Sequence, residues 1–268
     1  ESEQSVKEYL DIMDHRKTEQ LIDTLDKVEQ NRKECYIREF SIEHFHDSKV
    51  FETLIPKICK IFREENEELT GFENEEILAE YQIYKTPGYV YMKGNVQIYS
   101  AGKQAADISA FPEGIAVAVG SEEDVPDICP DQTIDKVFTI ENLTSFYRFK
   151  QEHSLVIYLG GYHNRSRRNL LMQIYQKLPD AQYYHFGDLD AGGFYILEHL
   201  KRKTGIPFQM FQMDIETLKK YEDYAKPLTE NDKKRLMQLE KMELPDEERK
   251  LITYMLQKGI KLEQECIS

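Results

Sequence analysis

What most constrains this chain is an alternation across residues 136–214, where short apolar β-rich runs trade places with segments of helical spacing. "KVFTIEN" (136–142), "SLVIYLGGY" (154–162), "AQYYHFGDLD" (181–190) and "FQMFQMD" (208–214) read as strands. "LTSFYRFKQEH" (143–153), "SRRNLLMQIYQKL" (166–178) and "GGFYILEHLKRKTG" (192–205) read as the helices between them. Strands linked through helices need crossover connections, and these imply a parallel sheet covered on both faces. The fold class that follows is α/β.

Outside this stretch the signals are more mixed. Val6, Leu10, Met13, Leu21, Leu25 and Val28 recur at helical spacing in the highly charged residues 4–33, which predicts a helical arm. Phe51, Leu54, Ile55, Ile58, Cys59 and Phe62 predict a second helix, capped by Asp47 or Ser48, with Pro56 kinking it or marking its start. "KTPGYVYMKGNVQIYS" (85–100) predicts a hairpin turning at Lys93-Gly94, and "GIAVAV" (114–119) one more strand. Helices followed by a hairpin fit a winged-helix module and fit equally a small α+β domain without a DNA role. The polar, proline-bearing residues 120–133 read as a linker. In the tail, Thr229 with Asp232 predicts a capping box, and Gly259 closes a final helix. The expected organisation is a helical arm over 1–35, a winged-helix-like α+β domain over 36–132, and the α/β domain with C-terminal helices over 133–268.

Composition bounds the function. No run approaches the ~20 apolar residues of a membrane span, no signal peptide is apparent, and a cytoplasmic protein is expected. The chain starts at Glu1 without Met, so it is expected to be a fragment. A net charge of −14 argues against a protein that simply coats nucleic acid, although a carboxylate metal site is acidic until its cation arrives. Cys35, Cys59, Cys129 and Cys266 are scattered without a CxxC pair, and read as reduced thiols, not zinc ligands or a disulfide framework.

The chemistry is concentrated at strand ends. In a parallel α/β sheet the working edge is the carboxyl end of the strands. Three predicted strands end there in Glu141-Asn142, Gly160-Gly161 and Asp188-Leu189-Asp190. Residues two apart on a strand share a side, so Asp188 and Asp190 can converge, and Glu141 can join them from a neighbouring strand. Three crowded carboxylates repel one another, and an all-oxygen donor set suits Mg²⁺ or Mn²⁺. Gly192 and Gly193 open a helix whose N–H groups suit a phosphate, and Gly187 permits close backbone approach. The plain alternative is that Asp190 caps the third helix and Glu141 the first, with Asp188 exposed.

"FTIEN" followed by "FGDLDAGGFYI" resembles the Toprim domain shared by topoisomerases, primases and several nucleases. The C-terminal half is more closely similar to the JetD family of Wadjet anti-plasmid nuclease subunits, distant kin of the type IIB topoisomerase A subunit. The similarity rests on "IEN", "GGY" and "GDLDAGG", with weaker echoes in "FSIEHFHDSK", "YVYMKGNVQI" and "KLEQE". It implies a Toprim, Rossmann-like sheet preceded by a winged-helix-like module. It also implies Glu141 as the Toprim glutamate, and Asp188 and Asp190 as its paired aspartates. The activity implied is Mg²⁺-dependent DNA cleavage, on double-stranded plasmid and beside SMC-like Wadjet subunits. A topoisomerase-like strand transfer through a tyrosine is the alternative, and a non-catalytic DNA-binding assembly subunit a third. Tyr81 and Tyr84 precede the expected hairpin, but no tyrosine stands in an alignable motif, which favours hydrolysis. Oligomeric state is not set by the sequence, and a homodimer is compatible with it.

Secondary candidates are weaker. Arg165, Arg167 and Arg168 follow the second strand and could hold DNA phosphate. His163 could touch substrate, whereas His185 is expected to point into sheet packing. His44 and His46 have metal-like spacing without a third ligand, and Glu263 and Glu265 read either as surface charges or as acids behind the site.

Overall fold

Helix α1 (His15–Gln30) buries Leu21, Thr24 and Val28 along one stripe, and Asp14 caps it by accepting the Lys17 N–H. The computed structural model of the protein describes residues 14–66, 69, 72–85, 89–118, 126–160 and 165–267, with the side chains of 165 and 166 outside the description. Most of the first half of the expected arm, residues 119–125, and Gly161 and His163 therefore lie outside the described residues. By its internal contacts the chain divides into two units, Glu1–Pro87 and Gly88–Ser268.

In the first unit α1 is followed by β1 (Cys35–Tyr36), α2 (Ile37–Phe45), α3 (Val50–Glu65), α4 (Asn74–Glu80) and β2 (Ile83–Tyr84), the two short strands pairing in parallel. Helix α3 buries Phe51, Ile58, Cys59 and Phe62, as its spacing predicts. Two details differ from expectation. Pro56 lies inside α3 without ending it, on the exposed face where its missing hydrogen bond turns to solvent. The cap is not Asp47 or Ser48: Lys49 stands at the N-cap position, and the Phe51 N–H is taken by Ser41 Oγ at 3.0 Å.

The second unit begins with β3 (Tyr89–Lys93), β4 (Val96–Ser100), β5 (Lys103–Asp107), β6 (Ile115–Ala118) and β7 (Asp127–Pro130). Then comes the alternating stretch: β8 (Lys136–Ile140), α5 (Leu143–Arg148), β9 (Ser154–Tyr158), α6 (Arg165–Lys177), β10 (Gln182–Phe186), α7 (Ala191–Thr204) and β11 (Gln209–Met210). The six-stranded sheet has the order β11-β10-β8-β9-β3-β6. Its four strands β8 to β11 are mutually parallel, while β3 runs antiparallel to both β9 and β6. One face of the sheet packs Val137, Leu155, Ile157 and Tyr183 against Leu170 and Ile174 of α6 and Leu197 of α7. The other packs Phe138, Ile140, Val156 and Phe186 against Phe146 of α5. This is the two-sided burial that continuous apolar strands demand.

The expected hairpin is not formed. Strands β3 and β4 do not pair with each other: β3 joins the large sheet, and β4 pairs with β5 and β7 in a separate three-stranded sheet. The turn at Gly94 hands the chain from one sheet to the other, so these strands do not make a wing. Val90, Met92, Val96 and Ile98 all enter one core, and burial against both layers outweighs local pairing.

The tail supplies α8 (Ile215–Lys220), β12 (Lys226–Pro227), α9 (Glu230–Leu239), α10 (Asp246–Lys258) and β13 (Ile260–Lys261). Thr229 and Asp232 form the expected reciprocal cap of α9, and Gly259 ends α10 with φ +69°. Among the described residues no helix is long and apolar enough to cross a membrane.

Candidate acidic site at the sheet edge

The chain leaves β8 for its neighbour β9 on one side and then returns to pair β10 on the other. Strand order therefore reverses around β8, and the carboxyl ends beside such a reversal form the natural crevice of an α/β sheet. Glu141 follows β8 directly, and Gly187-Asp188 follow β10. The register pairs Ile140 with Phe186, and the Glu141 N–H donates to the Phe186 carbonyl at 3.1 Å. The Asp188 N–H in turn donates to Glu141 Oε2 at 3.3 Å. Residues 47 positions apart thus meet at one rim, as the strand-end argument anticipates.

The details correct that argument in three places. Strand β10 stops at Phe186, so Asp188 and Asp190 lie beyond it on a connection held by an antiparallel bridge between Leu189 and Leu262. Leu189 does turn into the core. Asp190 caps α7, its Oδ1 accepting the Gly193 N–H at 3.0 Å, so that N–H is occupied and Asp190 matches the plain alternative in this respect. Gly193 is needed for another reason: a Cβ there would stand 2.2 Å from the Asp188 carbonyl oxygen.

The C-terminal segment completes the rim. Buried Gln264 donates its backbone N–H to Asp188 Oδ1 at 2.7 Å and its side-chain Nε2 to the Phe186 carbonyl at 2.9 Å. Its Oε1 accepts the Asn142 N–H at 2.8 Å, and the Asn142 side chain donates to Glu265. Glu263 pairs with Lys226, and Lys261 lies 3.0 Å from Asp232 and 4.0 Å from Asp190 Oδ2. Sequence reasoning left Glu263 and Glu265 undecided and missed Gln264 and Lys261. The only available hint was the "KLEQE" similarity, because no local pattern joins position 264 to position 188.

Electrostatics follow from this crowding. Burial raises the Asp188 carboxyl to about 6, opposed by the Gln264 N–H and reinforced by Asp190, Glu265 and Glu263. The donor chemistry, carboxylate oxygens without thiols, fits a hard divalent cation. As they stand, however, no three His, Cys, Asp or Glu side chains among the described residues are grouped so as to enclose an ion. Backbone N–H groups already engage Asp188, Asp190 and Glu141.

His185 is wholly buried on the α7 side of the sheet, its Nδ1 3.0 Å from Thr139 Oγ1. Burial, with a smaller push from Lys201, lowers its pKa to about 3. Arg167 turns inward, donating to the Leu159 carbonyl at 2.5 Å and the Tyr89 carbonyl at 3.4 Å, a tie between β9 and β3. Arg168 is half-buried, and its charge acts on His199 of α7. The Arg165 side chain is outside the described residues. His44 packs edge-on against Phe40, with ring centroids 4.4 Å apart, and His46 is exposed in the αL conformation with φ +55°.

Fold and rim together define an α/β domain with a parallel core and an acidic carboxyl edge at its switch point. Residues 123–268, more than half of the chain, match the family described as "Wadjet protein JetD, C-terminal", and the chain belongs to that family. The Wadjet protein JetD of Bacillus cereus (strain Q1) is similar to it, 28% identical over 263 residues that cover 96% of this chain and 63% of the relative. The chain thus spans less than two thirds of that relative's length.

Proposed function

We propose that this chain is a divalent-cation-dependent DNA endonuclease of Toprim type, hydrolysing phosphodiester bonds at the acidic rim, with double-stranded plasmid as substrate. The observation that carries the reading is the contact of Glu141 with Asp188 across adjacent strands at the switch point. Glu141, Asp188 and Asp190 would hold Mg²⁺ or Mn²⁺, which when bound neutralises charge developing on the phosphate and acidifies a water. Glu141, beside the Asp188 N–H, is the group to take the proton of the attacking water at a carboxylate oxygen. Gln264 fixes Asp188 by its backbone N–H and so keeps that carboxylate at the rim. Membership of the JetD family supports a plasmid-defence setting with SMC-like Wadjet partners, and a homodimer is compatible with it.

Glu141→Ala or Asp190→Ala is expected to abolish plasmid cutting while circular dichroism stays that of the parent. Nicking at the parental rate with Mg²⁺ or Mn²⁺ by either variant would refute the assignment. Denaturing gels separate hydrolysis from tyrosyl transfer, which leaves a protein-linked end. The stacking of Tyr81 on Phe62 and the burial of Tyr84 favour hydrolysis. A second reading, a DNA-binding assembly subunit without catalysis, is favoured by the engagement of Asp188 and Asp190 with backbone N–H groups. Calorimetry that detects no Mg²⁺ or Mn²⁺ binding at millimolar metal, with DNA present, would support it.

A further inference from the structure

Gly187 lies between two polar atoms. A Cβ added there would stand 2.8 Å from His185 Nε2 and 2.7 Å from Glu141 Oε2, so both atoms border one space the size of a methyl group. His185 has no exposed surface, and its Nε2 has no hydrogen-bond partner among the described residues. A buried ring nitrogen without a partner is rare enough to need an explanation.

The opposite side of the ring supplies it. Thr139 Oγ1 lies 3.0 Å from His185 Nδ1 and 3.2 Å from the Tyr184 carbonyl, and has one proton to give. Given to Tyr184, that proton leaves a bare Nε2 lone pair sharing the space with a carboxylate oxygen, which is repulsive. Given to Nδ1, it leaves Nε2 carrying hydrogen beside the space that Glu141 Oε2 borders. A neutral imidazole donating to a carboxylate is favourable, and its hydrogen bond is stronger than one to a neutral acceptor.

We propose that His185, set in its Nε2–H tautomer by Thr139, is a positioning residue that holds the Glu141 carboxylate across the gap left by Gly187. The proposal deepens the reading of Glu141 given above and rests on it. The Asp188 N–H and, across the gap, the His185 Nε2–H then both act on Glu141 and hold its orientation at the rim. Any side chain at position 187 would fill the space they share.

The test uses the whole chain. In ¹⁵N-labelled protein at neutral pH, long-range proton–nitrogen spectra are expected to show His185 protonated on Nε2, with that proton moving upfield in Glu141→Ala. An Nδ1–H tautomer in the parent, or an Nε2–H signal that ignores Glu141→Ala, would overturn the proposal. Mn²⁺ binding followed by electron paramagnetic resonance supplies a second readout. His185→Leu is expected to weaken binding by roughly tenfold, the lower end for groups that orient a metal ligand. His185→Gln, whose amide N–H reaches a similar position, is expected to recover most of it. Leu binding like the parent, or Gln no better than Leu, counts against the positioning role. A parent that binds no Mn²⁺ overturns the proposed function instead, and the nitrogen resonances then decide the pairing alone.

Discussion

Three glycines around the acidic residues look interchangeable in "FGDLDAGG", yet each meets a different neighbour. A Cβ at Gly193 would press on backbone, the Asp188 carbonyl oxygen at 2.2 Å; at Gly187 it would meet side-chain atoms, Glu141 Oε2 and His185 Nε2; at Gly192 it would meet Asp190 Oδ1 at 3.0 Å. Backbone yields least, so alanine is expected to destabilise most at 193 and less at 187, by about 1–3 kcal/mol where neighbours must move. At 192 the gain in helix propensity, up to ~1 kcal/mol, offsets the contact. Thermal melts of the three variants test the ranking, and a Gly193→Ala protein as stable as the parent would contradict it. The sequence marks these positions as special. Which atoms make them so depends on the strand pairing.

At the scale of elements, the C-terminal segment is part of the rim. Gln264 is buried and joins Asn142, Phe186 and Asp188 through three hydrogen bonds, reinforced by the bridge of Leu189 with Leu262. Gln264→Ala keeps the backbone bond to Asp188 but leaves the Asn142 N–H without its acceptor and the Phe186 carbonyl with the Glu141 N–H alone, at a cost of about 1–3 kcal/mol. Urea denaturation is expected to report a loss of that order, and a loss under about 0.5 kcal/mol would rule out this clasp. The elements differ in how legible they were. Helices α9 and α10 announce themselves through Thr229, Asp232 and Gly259, because caps are local chemistry. The pairing of β3 and β4 was misread because Lys93-Gly94 looks like a hairpin turn whether the strands meet each other or separate sheets.

For the second unit taken whole, buried ionisable groups set opposing responses to pH. His185 and His199 both have pKa values lowered to about 3 by burial, so the unfolded chain binds more protons below 6.5, and stability is lost as pH falls through that range. Asp188 has the opposite sign: with a folded value near 6 against 3.8 unfolded, its penalty is absent at low pH and grows until pH passes 6. Glu248 is raised by burial beside Glu198, although Lys201 lies 2.5 Å from it, and acts in the same direction as Asp188. In the presence of a chelator, Asp188→Asn is therefore expected to melt at higher temperature than the parent at pH 7.5, and to lose stability more steeply between pH 6.5 and 4. A variant that melts lower at pH 7.5 would show that the Asp188 charge is not a burden in the metal-free fold.

The sequence by itself determined the alternation of strands and helices, the caps of α9 and α10, and the placing of acids close after strands β8 and β10. Each of these follows from periodicity or from contacts within a few residues. Only the tertiary structure decided that β8 lies between β9 and β10, that β3 joins the large sheet while β4 enters another, and that Gln264 returns to hold Asp188. Those choices depend on which distant surfaces bury each other best, a property of the folded whole that no short window of sequence contains.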